Sequence, residues 1–256
     1  MSTISNVVSF SNAGPVAQSP TAAVAQDRLA GLSARNGNTA VVLGAPASPS
    51  PSGATKTIDG KGTIYRQQSD LSERLVVVGV RGALQLKDGD NQVTLTGDAA
   101  RLSAGNGNNE VISTDQRASI RLGDGNNTFS GKFSTLNVGD GSNTLNVDGA
   151  PVTSISVGPG INKINVKNGQ EVGLKLGGGI TDLKGDVGGM EVFLSTPDVP
   201  GEVDFRRSGT DLIVTGPGPG EELMVVGVYA KPAREVDFAI ESDGRRYSFA
   251  KDFGGL

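Results

Sequence analysis

Nine side chains in this sequence have types and spacing that could do chemistry. Asp88, Asp90, Asp124 and Asp140 lie in short glycine-rich turns, and Asn91, Asn109, Asn127, Asn143 and Asn162 recur at the end of those turns. Carboxylate and amide oxygens are hard ligands, and that chemistry suits calcium. The same groups can instead bond one another from turn to turn, as a ladder with no metal. Both readings stay open at this point. Other chemistry is excluded by composition, because the chain has no Cys, His or Trp. Thiolate nucleophiles, disulfides, thiolate zinc and iron–sulfur sites are therefore ruled out. A Ser-His-Asp triad and an imidazole base are ruled out as well. Acid/base work would fall to Asp, Glu, Lys or Tyr, no cofactor is required, and calcium is the one expected ligand ion. The protein is expected not to be an enzyme.

Local pattern dictates what must position these residues. The turns read Lys87-Asp88-Gly89-Asp90-Asn91, Gly105-Asn106-Gly107-Asn108-Asn109, Gly123-Asp124-Gly125-Asn126-Asn127, Gly139-Asp140-Gly141-Ser142-Asn143 and Gly158-Pro159-Gly160-Ile161-Asn162. A weaker copy is Gly177-Gly178-Gly179-Ile180-Thr181, and successive copies are 18, 18, 16, 19 and 19 residues apart. Two residues after each turn stands an apolar residue: Val93, Val111, Phe129, Leu145, Ile164 and Leu183. Midway to the next turn comes a second alternating stretch, with the pairs Leu102/Ala104, Ile120/Leu122, Leu136/Val138, Ile155/Val157 and Leu174/Leu176. Period-two alternation means one inward face per strand. Two short strands and two turns per repeat of about 18 residues predict an all-β fold, a parallel β-solenoid. Coils stack at the strand spacing of about 4.8 Å. The core is then a thin aliphatic sandwich, consistent with only 4% aromatic residues. The 38 glycines serve corners where the backbone turns tightly.

Three segments are expected. Residues 1–58 are rich in Ser, Ala, Asn and Pro and include Ala45-Pro46-Ala47-Ser48-Pro49-Ser50-Pro51-Ser52-Gly53. They read as a disordered leader or docking arm. Residues 59–200 hold the solenoid, with Asp59-Gly60-Lys61-Gly62-Thr63-Ile64 imitating the turn in a first coil. Residues 201–256 lose the repeat and read as a β cap over the open end of the stack.

The turn, in the frame Gly123-Asp124-Gly125-Asn126-Asn127-Thr128-Phe129, resembles the nonapeptide of the bacterial repeats-in-toxin β-roll proteins over roughly residues 86–183. The tail from Phe205 to Val214, with Val236-Asp237-Phe238 and Ser242 to Tyr247, resembles the cap that follows such repeats. The resemblance implies calcium between the turns and export by type I secretion with an uncleaved C-terminal signal, here Asp252-Phe253-Gly254-Gly255-Leu256. The N-terminus shows no basic and apolar signal-peptide pattern, in keeping with that route. One departure matters. The family's ligating aspartate occupies the sixth position, and here that position is Asn91, Asn109, Asn127, Asn143 and Asn162. A neutral oxygen holds a hard cation more weakly. Aspartate recurs instead at the third position, as Asp88, Asp124 and Asp140.

The expected function is a secreted, non-enzymatic structural or adhesive protein of a surface layer, biofilm matrix or self-assembling fibre. It is expected outside the cell or at its surface. The expected partners are further copies of the chain and a cell-surface or polysaccharide contact. A net charge of −4 and a pI near 5.0 weigh against nucleic acid. No apolar run reaches the ~18–20 residues of a membrane span. An exported, harpin-like elicitor is the alternative, favoured by the Ser-rich, Cys-free leader. A carbohydrate-acting β-helix enzyme is the third reading, weakened by connections too short to wall a groove. The charged pairs Glu221-Glu222 and Arg206-Arg207 are expected to be solvated, and Arg234, Arg245 and Arg246 are the expected anion contacts.

Overall fold

The alternating apolar residues do face inward. Val93, Val111, Phe129, Leu145, Ile164 and Leu183 are all buried, and so are the mid-repeat pairs from Leu102 to Leu176. The computed structural model describes residues 55–59, 64–68, 72–80, 82–148, 153–168, 171–194, 202–218, 220–230, 238–242 and 244–248. Most of the expected leader, Arg234 and the expected secretion signal at the C-terminus lie outside these residues.

The strands that follow the turns are β5 (Gln92–Asp98), β7 (Glu110–Ser113), β9 (Thr128–Gly131), β11 (Thr144–Asp148), β13 (Ile161–Lys167) and β15 (Ile180–Gly185). They pair in parallel with β1 (Lys56–Asp59) and β3 (Arg74–Val80) at one end. The mid-repeat strands β2 (Ile64–Arg66), β4 (Ala83–Gln85), β6 (Arg101–Ser103), β8 (Ser119–Leu122), β10 (Thr135–Val138), β12 (Thr153–Val157), β14 (Val172–Leu176) and β16 (Met190–Phe193) form the facing sheet. The protein is an all-β parallel β-solenoid with its aliphatic core between the two sheets. Register keeps like with like: Leu136 lies between Ile120 and Ile155, and all three are buried.

The ends differ from the regular coil. β17 (Asp204–Ser208) and β18 (Asp211–Thr215) pair antiparallel, and β18 pairs antiparallel with β19 (Glu222–Val226). β19 itself lies parallel on β15, and β20 (Phe238–Ser242) lies parallel on β16. Two strands of the segment expected to cap therefore continue the stack. The reversal comes only with β17, β18 and β21 (Arg245–Ser248), the last antiparallel to β20. Phe205 and Tyr247, 4.9 Å apart between ring centroids, join the two sheets at this end.

The shortest repeat closes by a change of core residue. Phe133 packs edge-on against Phe129 with centroids 5.0 Å apart, and neither ring is exposed. Gly131, at φ +125°, lets β9 bend early, and a side chain there would strike the Ser113 carbonyl. The preceding corner is held by Asp115, a buried carboxylate that accepts the N–H groups of Ala99 (3.0 Å), Ala100 (2.8 Å) and Arg117 (2.8 Å). These three bonds compensate the burial of the charge. They also fix Ala99 in its left-handed conformation, φ +60°.

Candidate functional site

The turn edge of the solenoid carries three side-chain columns, each built from one turn position repeated coil after coil. The buried column starts at the Glu73 backbone, whose N–H donates to Asn91 Oδ1 at 3.0 Å. Asn91 Nδ2 then donates to Asn109 Oδ1 (3.0 Å), Asn109 to Asn127 (3.1 Å), Asn127 to Asn143 (3.2 Å) and Asn143 to Asn162 (2.9 Å). All five are essentially without solvent exposure. Each amide also turns back on its own coil, as Asn127 does to the carbonyls of Gly123 (3.0 Å) and Gly125 (3.2 Å). An amide donates to its own turn and accepts from the neighbouring coil at once, whereas an ionised carboxylate has no hydrogen to give. The repeated asparagine thus has a physical reason that involves no cation. The column stops at Thr181, register partner of Asn162, whose buried Oγ1 meets no hydrogen-bond partner among the described residues.

The aspartates lie in the two outer columns. Asp88 Oδ1 accepts the Asn106 N–H (2.7 Å), Asn106 Oδ1 accepts that of Asp124 (2.9 Å), and Asp124 Oδ1 accepts that of Asp140 (3.0 Å). Pro159 occupies the next place in this column and has no N–H to offer Asp140. In the other column, Asp90 Oδ1 accepts from Asn108 N–H (2.6 Å), Asn108 from Asn126 (2.8 Å) and Asn126 from Ser142 (2.9 Å). The structure thus brings Asp124 and Asp140 side by side and sets Asn106 between Asp88 and Asp124. One oxygen of Asp88, of Asp90 and of Asp124 is already engaged by the next coil. The buried amides of the sixth position are engaged as well.

Gly125 shows why the turn tolerates no side chain at its centre. Its φ is +131°, and a β-carbon there would run into the Gly107 carbonyl of the preceding coil. The stacking of these turns and their conformation make the same demand.

Charged residues outside the turns divide differently from expectation. Arg206 and Arg207 are exposed, with Arg207 4.5 Å from the centre of the Tyr229 ring. Glu221 is not solvated: it is 2% exposed, folded into the Gly-Pro loop before β19, where Oε2 accepts the Gly218 N–H at 3.3 Å. Lys56, Tyr65 and Glu73 form a small network, with Lys56 Nζ 2.6 Å from Glu73 Oε1 and Tyr65 Oη donating to Oε2 at 2.7 Å. The bond to Glu73 raises the Lys56 pKa, and burial raises that of the Tyr65 phenol.

A second feature lies outside the residues singled out from the sequence. On the outer face of the mid-repeat sheet, Glu171, Gly173, Glu191, Ala239 and Arg246 surround a depression of about 330 Å³. Arg246 pairs with Glu191 and, at 3.3 Å, with Glu241. No protein family matches the chain, and no curated protein matches it. No helix among the described residues is long and apolar enough to cross a membrane.

Proposed function

We propose that this protein is a structural, non-enzymatic solenoid rod that works outside the cell and associates with copies of itself. One observation carries the reading. The turn residues that could have formed a catalytic or metal site serve instead in columns of hydrogen bonds that run from coil to coil. The turns' resemblance to exported β-roll repeats supports the extracellular setting. Calcium binding is weak in this reading, confined to the turns bearing Asp88, Asp90, Asp124 and Asp140, and not needed for folding.

Association is side by side. The outer face of the turn-following sheet exposes Val78 (50%) and Ile112 (47%), with Thr94 and Val76 in register beside Ile112 and Thr96 beside Val78. β-Branched side chains on a flat sheet suit contact with the same face of a second copy. Light scattering and electron microscopy of the purified chain should show laterally joined particles, with and without calcium. The double variant Val78→Lys/Ile112→Lys should weaken association about tenfold or more, since each lost apolar contact is worth about 1.5 kcal/mol or more. Wild-type protein that stays monomeric at high concentration would sink this reading.

A further inference from the structure

We propose that the depression around Gly173 is a binding site for one unit of a neutral glycan. The argument starts from the glycine. Gly173 lies inside β14, in unbroken register with Ser154 on one side and Glu191 on the other, so it marks no bulge. Its φ is outside the left-handed region, and a β-carbon added to it would meet nothing within 4 Å. Neither conformation nor packing calls for a glycine here, in contrast to Gly125. Glycine inside a strand weakens it unless something must approach the backbone closely. What could approach is set by the rim.

Glu171 comes from the start of β14, Glu191 from β16 and Arg246 from β21, so three strands converge on one hollow. The hollow measures about 330 Å³, at the small end of ligand sites and suited to a single sugar ring. Its charges are of both signs. Arg246 is paired with Glu191, so carboxylate acceptors and guanidinium donors stand together on the rim rather than a field of one sign. A neutral polyol satisfies both, because hydroxyls donate to Glu171 and Glu191 and accept from Arg246. The site deepens the extracellular reading above and rests on it for the source of the glycan. It lies on the sheet opposite Val78 and Ile112, so the two proposals can fail separately.

The test is calorimetric titration of the full chain with cellohexaose and laminarihexaose as neutral probes, a chitosan hexamer as cationic probe and hexagalacturonate as anionic probe. Saturable binding of a neutral hexaose is expected, with the charged oligomers weaker. Gly173→Phe should fill the hollow and reduce affinity about tenfold or more, with an unchanged circular dichroism spectrum. Arg246→Ala should weaken the same binding, which covers the case in which Gly173→Phe fails to fold. Binding should persist in Val78→Lys/Ile112→Lys, and its persistence there when association is lost leaves the site standing. The site is overturned by no saturable binding of either neutral hexaose, by preference for a charged oligomer, or by a folded Gly173→Phe or Arg246→Ala that binds like wild type.

Discussion

Leu136→Asp should unfold the repeat region, whereas Asn137→Asp, one residue along, should leave stability within about 0.5 kcal/mol of wild type. Leu136 has no solvent exposure and lies in register between Ile120 and Ile155. A carboxylate there has no partner and costs several kcal/mol, against a total stability of about 5–15 kcal/mol for a domain. A parallel stack spreads the damage, since each coil packs only on its neighbours. Asn137 is exposed, with Arg121 beside it in register, so an added negative charge is tolerated there. Urea denaturation followed by circular dichroism checks both. Equal tolerance at the two positions would mean that the inside and outside of β10 have been exchanged.

Changing Asn109, Asn127 and Asn143 together to Asp should abolish folding in chelator and make it depend on calcium. Each substitution removes an amide that donates both to its own turn and to the next coil. It also stacks buried carboxylates on one another at neighbouring coil positions, where like charges repel. Three such losses exceed the stability of an ordinary domain. Calcium offsets the repulsion and supplies the missing partner for the oxygens, so metal binding becomes coupled to folding. A variant that folds equally well with and without calcium would show that the column contributes little to the stack.

The repeat was legible because its signals are local. Period-two alternation places Val111 and Ile120 inward, and the turn spacing puts Asn109 above Asn127. The alternation fails where a connection is irregular, which hid the buried roles of Phe133 and Asp115. β19 and β20 rejoin the parallel stack without any repeat turn before them, so their pairing is a long-range fact with no local trace. Glu221 is charged and was read by type, yet a Gly-Pro loop folds around it. The depression was illegible for the same reason as β19. Glu171, Glu191 and Arg246 meet only because β14, β16, β20 and β21 lie side by side. Gly173 was the one available clue, since Val172-Gly173-Leu174-Lys175-Leu176 interrupts a strand with a residue that strands disfavour.

The central claim is that an amide column, not a metal, holds the coils together. Circular dichroism of the wild-type chain in excess chelator, followed by calcium titration, tests it most directly. The account predicts a β-rich spectrum and a cooperative thermal transition in chelator, both nearly unchanged by millimolar calcium. A chain that is unfolded in chelator and folds cooperatively as calcium is added would contradict it, and would make the turns of Asp88, Asp90, Asp124 and Asp140 metal sites on which the fold depends.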